Sequence, residues 1–229
     1  MVIRQPEMLS RMEEMNTHTG IERGLNGGGR SCDWRGWKAQ FARPTGLLGR
    51  MVGSLMAFWN SGMNEFAVEM LDLQSEDQTL EIGFGPGVTI GMIAERSPRG
   101  QVCGIDISDV MVRQASQRNR ELIDAGRVEL SLASISDIPY EYGRFTRVLA
   151  VNNFQFWPDA ERNLHEIQRV LQPGGKLVIC LRTDRPGFRL APVFTAGQVE
   201  EIAGLVRWTG FRDVSISRGK TGCCVVGTR

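Results

Sequence analysis

The glycine-rich segment 79–88, Thr-Leu-Glu-Ile-Gly-Phe-Gly-Pro-Gly-Val, constrains the fold more than any other part of the sequence. Leu80 and Ile82 alternate with polar residues, as at the end of a buried strand, and apolar residues at helical spacing begin at Ile90. The glycines between them allow a sharp turn and leave backbone N–H groups open to a ligand, with no Cβ in the way. The segment therefore predicts a strand, a ligand-binding turn and a helix. An ordinary glycine-rich turn is the alternative.

A carboxylate is placed to bind the same ligand. Asp106 lies near the end of the next apolar segment, residues 101–107, roughly 20 positions after the glycines. In doubly wound α/β sheets an acid at this distance binds ribose hydroxyls. A dinucleotide-binding turn has the pattern G-x-G-x-x-G, whereas Gly83, Gly85 and Gly87 form G-x-G-x-G. The residues therefore favour a ribose-containing ligand other than NAD, and an NAD-linked oxidoreductase is the weaker alternative.

Three motifs, in this order, resemble those of the class I S-adenosylmethionine-dependent methyltransferases. The family's acid-x-G-x-G-x-G turn is similar to Glu81 and the three glycines, and its acid after the second strand is similar to Asp106. Its Leu-x-Pro-Gly-Gly segment is similar to residues 171–175. The resemblance covers about half of the chain, residues 62–180. It implies methyl transfer from S-adenosylmethionine to a small-molecule acceptor, by O-, N- or C-methylation.

The resemblance also implies an α/β fold. The sheet is expected to be Rossmann-like, doubly wound and mostly parallel, with seven strands in the order 3-2-1-4-5-7-6 and helices on both faces. The last two strands are expected to form an antiparallel hairpin at one edge. Apolar patterns predict strands at 102–107, 128–132, 147–151, 176–181, 211–217 and 221–228, and helices at 110–125, 160–171 and 196–208.

The chain divides into three predicted parts. Residues 1–30 lack apolar periodicity and contain Asn-Gly-Gly-Gly, which is costly to order, so they are predicted to be a disordered N-terminal tail. Residues 31–75 are predicted to be an N-terminal helical segment that packs on the core or lids the cofactor, with helices over 47–59 and 63–73. Residues 76–229 are predicted to be the S-adenosylmethionine-binding catalytic domain.

The resemblance implies roles for the cofactor residues. Glu81 would orient the turn and the methionine ammonium, Asp106 would accept the ribose hydroxyls, and Asn152 would offer its carbonyl to the ammonium. The family usually presents an Asp to the adenine amino group where this chain has a serine, so that serine, Asp137 or a backbone N–H would take its place. The residues expected to bind the cofactor are Glu81, Gly83, Phe84, Gly85, Gly87, Asp106, Ile107, Met111, Ser134, Ile135 and Asn152.

A polar and aromatic loop, residues 152–157, directly follows the predicted fourth strand. The carboxyl ends of parallel strands face the ligand crevice, so this loop is expected to meet the methionine end of the cofactor and the acceptor. The three arginines of residues 182–195 could hold a carboxylate or phosphate, which favours an anionic acceptor; a solvated charged loop is the alternative. The predicted acceptor-pocket residues are Asn153, Gln155, Phe156, Trp157 and Arg182.

Methyl transfer from a sulfonium requires mainly in-line placement and exclusion of water. A general base is needed only for a weakly acidic acceptor, and the candidates are Asp184, Tyr140 and Tyr142. A cofactor-binding protein without catalysis, such as a regulatory subunit, is the alternative, because Ser134 and Thr146 depart from the family pattern.

Composition bears on partners and location. The 229 residues are 41% hydrophobic and 23% charged, enough for one domain with a full core. A net charge of +1 argues against general attraction to nucleic acid. No apolar run approaches the roughly 20 residues of a membrane span, and no secretory signal is visible. The protein is therefore expected to be cytoplasmic, with its five cysteines reduced and no metal site; the sequence does not predict the oligomeric state.

Overall fold

The computed structural model describes residues 61–183, 194–220 and 222–229. The predictions for residues 1–60 and for Asp184 lie outside the described residues. The helices are α1 Ser61–Leu71, α2 Val88–Arg96, α3 Asp109–Arg118, α4 Arg120–Asp124, α5 Ala160–Val170 and α6 Ala196–Trp208, and a 3₁₀ turn spans Phe154–Phe156. The strands are β1 Gln78–Ile82, β2 Gln101–Asp106, β3 Val128–Leu132, β4 Phe145–Val151, β5 Leu171–Leu181, β6 Arg212–Arg218 and β7 Cys223–Thr228.

The strands form one seven-stranded sheet in the order β3-β2-β1-β4-β5-β7-β6, which confirms the predicted topology. The first five strands in this order pair in parallel, and β7 runs antiparallel to both β5 and β6. The strand order reverses between β1 and β4. In sheets of this kind the ligand crevice opens at the carboxyl ends of the strands beside such a reversal.

Both faces of the sheet are covered, because successive side chains of a strand point to opposite faces. Val148 of β4 belongs to the core formed with α5 and α6, which contribute Leu164 and Ile202. Leu149, the next residue, belongs to the core formed with α1 and α2, which contribute Leu71 and Ile90. The central strands are therefore buried on both sides, and only their ends are available for a ligand.

The helix α1 lies in the predicted N-terminal helical segment and packs against the sheet. Met63, Ala67 and Leu71 are almost fully buried. Arg147, near the start of β4, donates from Nε to the Leu71 carbonyl at 3.0 Å and forms an ion pair with Asp77 at 3.4 Å. These contacts hold the end of α1 to the amino end of β4, away from the carboxyl ends of the strands.

Two predicted elements differ from the structure by more than a shift of one or two residues at their ends. The single helix predicted over 110–125 is divided into α3 and α4, because the backbone leaves the helical conformation at Asn119 (φ −104°, ψ 23°). The fifth strand begins at Leu171 rather than Lys176, because Leu171 pairs with Phe145 before the β4–β5 register shifts. The Pro-Gly-Gly segment lies within this irregularity, with Gly174 at φ +80°.

The expectation that all cysteines are reduced is wrong for one pair. Cys180 of β5 and Cys224 of β7 lie directly opposite each other, with their Cα atoms 4.1 Å apart, and form a disulfide. Such close approach is typical of the narrow pairs of an antiparallel ladder. Cys103 and Cys223 are free and buried. The pairing joins residues 44 positions apart, so only the sheet register reveals it.

In the part of the chain that the structure describes, no helix has the length and apolar character that crossing a bilayer requires.

Candidate active site

A pocket opens at the carboxyl ends of β1, β2 and β4, where the strand order reverses. It is lined by these residues that the sequence singled out: Gly83, Gly85, Asp106, Ile107, Met111, Ser134, Ile135, Asn152, Asn153, Phe156 and Trp157. It is also lined by residues that the sequence did not single out: Ile82, Ile105, Ala133, Val151 and Pro158. The turn, the β2 carboxylate and the loop after β4 therefore border one continuous space.

Other predicted residues lie outside this lining. Glu81, Phe84 and Gly87 are buried beneath the turn, whereas Gln155 and Arg182 are partly exposed. Tyr140 packs edge-on against Phe145, with the ring centroids 5.1 Å apart. The Tyr142 ring lies under the Arg229 guanidinium, which also donates to the Leu171 carbonyl at the far end of the sheet. The two tyrosines predicted as general bases are therefore not placed beside the pocket.

The three glycines of the turn have positive φ angles of 63°, 53° and 74°. A Cβ on Gly83 would lie 2.5 Å from Nδ2 of Asn153, and a Cβ on Gly87 would lie 2.6 Å from the Cβ of Ala115. A Cβ on Gly85 would have nothing within 4 Å. Gly83 and Gly87 are thus required by protein neighbours, whereas Gly85 presents bare backbone to the pocket.

Asp106 lies beside this bare backbone. Its Oδ2 accepts from the Gly85 N–H at 2.9 Å, and its Oδ1 accepts from the Ser108 N–H at 2.9 Å. Burial raises the pKa of Asp106, and hydrogen bonds from the backbone of Ser108, Gly85 and Ile107 oppose that rise. Each carboxylate oxygen can accept more than one hydrogen bond, so the group can hold the turn and still bind hydroxyl groups of a ligand.

One side of the pocket suits a flat, apolar ring. Ile107 follows Asp106 and is 42% exposed, although a large aliphatic side chain usually gains by burial. The loop after β3 contributes Ala133, Ser134 and Ile135 to the same pocket. The Ser134 hydroxyl accepts from the Ser136 N–H at 3.2 Å, which shapes this loop. Asp137, the alternative acceptor for the adenine amino group, is exposed and outside the lining.

The other side of the turn carries buried polar atoms that have no partner among the described residues. These are Oε2 of Glu81, which is only 2% exposed, and Oδ1 of Asn152. The Asn152 backbone carbonyl already accepts from Nε2 of Gln155 at 2.9 Å. Buried acceptors of this kind are costly unless a donor satisfies them. Asn152 lines the pocket, so its Oδ1 fits a ligand that carries an ammonium group, whereas Glu81 lies outside the lining and acts on such a ligand only through the turn.

Asn119 holds the turn from below. Its Nδ2 donates to the Gly87 carbonyl and to the Ala115 carbonyl, both at 2.9 Å. The neighbouring Arg118 donates from Nε to the Pro86 carbonyl at 2.9 Å. The break between α3 and α4 therefore places two side chains against the glycine turn. A weak helix former inside a helical pattern was the only sequence signal for this role.

Substituting Asn119 is expected to weaken ligand binding without removing any group from the pocket. In Asn119→Ala the Gly87 carbonyl loses a buried partner, which costs about 1–3 kcal/mol of stability and loosens the turn. We expect the dissociation constant of S-adenosylhomocysteine, measured by calorimetry, to rise about 5- to 30-fold. The control is Arg120→Ala, at the residue after Asn119. It removes only an exposed ion pair with Asp124 and should leave the dissociation constant unchanged. Equal affinities in the two variants would contradict this role.

The buried Glu81 predicts a pH dependence of stability. Burial raises the pKa of Glu81 well above its ordinary value of 4.5; a hydrogen bond with Thr89 opposes this, and the charge of Asp106 adds to it. The folded protein therefore holds this proton to higher pH than the unfolded chain does. The associated stability is fully present below pH 4.5 and is lost as the pH rises through the folded-state pKa.

In Glu81→Gln this loss should disappear. Without ligand, the variant is expected to be more stable than the wild type at pH 8 and to lose that advantage at pH 4.5, as measured by urea unfolding. Its affinity for S-adenosylmethionine is nevertheless expected to fall, because the resemblance assigns this carboxyl to the methionine ammonium. The exposed Glu76→Gln is the control and should show neither effect. A destabilised Glu81→Gln at pH 8 would show that the carboxyl is satisfied within the protein.

Known proteins resemble this chain across the same region. A family model described as a methyltransferase domain matches residues 80–179. "Uncharacterized methyltransferase YdaC" of Bacillus subtilis is 28% identical over 166 residues, which cover 72% of this chain and 88% of that protein. The provisionally named methyltransferase YrhH of the same organism is 30% identical over 162 residues, covering 71% and 83%. The ubiquinone/menaquinone biosynthesis C-methyltransferase UbiE of Geotalea daltonii is 32% identical over 126 residues, covering 55% and 53%.

A solved structure shares the fold. The crystal structure of a S-adenosylmethionine-dependent methyltransferase from Aquifex aeolicus superposes with a TM-score of 0.65 and covers 75% of this chain and 92% of its own. Its sequence is 19% identical, so this likeness concerns the architecture of the sheet and its helices.

Proposed function

Because the chain belongs to the class I S-adenosylmethionine-dependent methyltransferases, we propose that it methylates a small, largely apolar acceptor bound beside Phe156, Trp157 and Pro158. The protein is an S-adenosylmethionine-dependent methyltransferase, and S-adenosylmethionine is its cofactor. The proposal concerns the residues that bind this cofactor and the kind of acceptor that receives the methyl group.

The cofactor half of the pocket is formed by the turn and the end of β2. Asp106 accepts the ribose hydroxyls, Gly85 admits the nucleoside to the backbone, and Ile107 covers one face of the adenine. Asn152 supplies an acceptor on the side of the methionine ammonium, and Glu81 acts through the turn. The residues fit the cofactor because a bare backbone surface, a carboxylate and unpartnered buried acceptors occur together. When bound, the cofactor supplies a methyl group activated by a sulfonium.

The observation that supports an apolar acceptor is the aromatic wall of the same pocket. Phe156 is 36% exposed and Trp157 is 5% exposed, and both line the space that Gly83 and Gly85 also line. Apolar walls bind apolar molecules and exclude water, which methyl transfer requires. The name of the UbiE relative supports a small-molecule acceptor, although this chain spans only 53% of that protein.

The acceptor supplies the electron pair. The cofactor, held by Gly85 and Asp106, would supply an activated methyl group to the O, N or C atom of the acceptor, whose proton would leave to solvent or to a base. The aromatic wall aligns the acceptor with the methyl group, a placement effect that contributes several kcal/mol, on the order of 5 or more, in favourable cases. Of the three arginines behind the interpretation of an anionic acceptor, Arg182 lies outside the lining, and the other two lie outside the described residues.

A panel assay tests the acceptor class. The purified protein, S-adenosylmethionine and panels of phenols, quinols, small amines and carboxylic acids are incubated, and methylated products are detected by mass spectrometry. We expect turnover among the uncharged ring compounds. Phe156→Ala should raise the acceptor KM at least about fivefold, since it loses much of the apolar area that the ring contributes. Turnover confined to carboxylic acids, with Phe156→Ala unaffected, would overturn the proposal.

A further inference from the structure

We propose that Asn153 is a positioning residue that fixes the indole of Trp157 to the cofactor-binding turn at Ile82–Gly83, so that the cofactor and acceptor halves of the pocket are coupled. The inference rests on the proposed function, because that function assigns the turn to the cofactor and the indole to the acceptor. The residues involved all line the pocket.

Both ends of the Asn153 amide are engaged. Its Nδ2 donates to the Ile82 carbonyl at the end of β1, and its Oδ1 accepts from Nε1 of Trp157 at 3.1 Å. We call these two hydrogen bonds the Asn153 bridge. The bridge joins the last residue of β1 to a side chain of the loop after β4, across 71 positions of sequence.

The chemistry of the partners fixes the orientation of the amide. A backbone carbonyl can only accept and an indole N–H can only donate, so a side chain between them must present one donor and one acceptor. Asparagine does this, whereas aspartate of the same shape presents two acceptors and faces the Ile82 carbonyl with a negative charge. Asn153→Asp therefore removes one function of the bridge while it keeps the volume.

Packing leaves the bridge little freedom. The amide occupies the position that a Cβ on Gly83 would take, at 2.5 Å, so the absence of a side chain at Gly83 makes room for it. The indole packs against Phe154 with the ring planes tilted by 44° and the centroids 4.8 Å apart. Phe154 in turn packs edge-on against Phe194, with the centroids 6.3 Å apart. The Asn153 carbonyl accepts from the Phe156 N–H at 2.9 Å, which closes the short turn between the two ends of the bridge.

The consequence is a coupling between two neighbouring sites. Ordering of the turn by the nucleoside also orders the amide that lies against Gly83, and through it the indole. Loss of the indole N–H frees the Asn153 amide that lies against Gly83, so we expect weaker binding on the cofactor side. A side chain that served only the acceptor wall would not have this effect.

A double-mutant cycle with S-adenosylhomocysteine as the probe tests the bridge. The wild type, Asn153→Asp, Trp157→Phe and the double variant are compared by calorimetry. We expect Trp157→Phe to weaken binding about 3- to 10-fold and Asn153→Asp at least tenfold, with the double variant no weaker than Asn153→Asp alone. Affinities within twofold of the wild type, or losses that multiply in the double variant, would overturn the inference.

Tryptophan emission supplies a second measurement. The wild type should show an emission change on adding S-adenosylhomocysteine that Trp157→Phe lacks, and Trp208→Phe should retain it. Trp208 is 59% exposed at the end of α6, so it is a matched indole-to-phenyl control. An emission change that is the same in the wild type and Trp157→Phe would overturn the coupling.

The outcomes separate the two proposals. A wild type that binds no S-adenosylhomocysteine would overturn the assignment of the turn to the cofactor. The Asn153 bridge would then be tested by comparing the thermal unfolding of the same four proteins. Should Asn153→Asp fail to fold, Trp157→Phe still tests the bridge, because it keeps a six-membered aromatic ring and removes the five-membered ring that carries the N–H. Non-additive unfolding effects support the bridge, and additive effects overturn it.

Discussion

Asp106→Ala is expected to weaken binding of S-adenosylmethionine and S-adenosylhomocysteine by at least about 100-fold. The substitution removes a buried carboxylate that would accept the ribose hydroxyls, and hydrogen bonds to a charged group contribute about 1.5–3 kcal/mol each. It also leaves the Gly85 and Ser108 N–H groups without their carboxylate partner, so the turn itself loses support. Calorimetric titration with both nucleosides measures the effect.

Two companion variants separate charge from fold. Asp106→Asn keeps the shape and one acceptor, so its loss should be smaller than that of the alanine variant. Asp109→Ala removes an exposed carboxylate that pairs with Arg113 at 2.8 Å on the first turn of α3, and it should leave affinity unchanged. Wild-type affinity in a folded Asp106→Ala would show that the ribose lies elsewhere.

Gly85→Ala is expected to weaken S-adenosylhomocysteine binding about 10- to 100-fold. The added methyl group meets no atom of the described residues within 4 Å and projects into the pocket, where the proposed function places the nucleoside against the backbone. Overpacking of a fitted site by one methyl group costs about 1–3 kcal/mol. The residue also has a φ of +53°, and a side chain in this conformation costs a further 1–2 kcal/mol, roughly, of folding stability.

Gly143→Ala is the matched control for the backbone effect. Gly143 has a φ of +64°, and a Cβ there would also meet nothing within 4 Å, but the residue lies outside the pocket lining. Both variants should therefore lose similar unfolding free energy, measured by urea denaturation, while only Gly85→Ala loses affinity. Equal binding by the two variants would mean that the ligand does not pass over Gly85.

The topology could be predicted because three local motifs carry the resemblance to a family whose strand order is established. The glycine turn and the acid mark the ends of β1 and β2, and short apolar runs identify the remaining strands. The helix break at Asn119 could not be predicted, because its cause is a contact with the Gly87 carbonyl across 32 residues. The same reason applies to the disulfide between Cys180 and Cys224, which depends on the β5–β7 register.

The candidate site was predictable where residue type and strand end coincide. Asp106 and Gly85 follow from both, and the structure places them together at 2.9 Å. Residues that act through a tertiary contact were less accessible to sequence reasoning. Asn153 was predicted only as an acceptor contact, whereas its side chain joins β1 to the aromatic wall, and Tyr142 was predicted as a base although it lies against Arg229.

The buried acceptors of Glu81 and Asn152 lower the stability of the free protein and favour ligand binding. Within residues 61–183, 194–220 and 222–229, neither Oε2 of Glu81 nor Oδ1 of Asn152 has a hydrogen-bond partner. Unsatisfied buried groups reduce the stability of the free protein, and a ligand that supplies donors recovers that free energy as affinity. The free protein should therefore gain unusually large thermal stabilisation from the complete cofactor, and less from adenosine, which lacks the ammonium.

A crystal structure of the complex with S-adenosylhomocysteine tests the central claim most directly. The measured quantity is the distance from the Asp106 carboxylate oxygens to the two ribose hydroxyls. We predict that both hydroxyls lie about 2.5–3.0 Å from these oxygens, with the nucleoside over Gly85 and the sulfur facing Phe156 and Trp157. A nucleoside bound away from Gly85, or ribose hydroxyls that face another residue, would contradict the account.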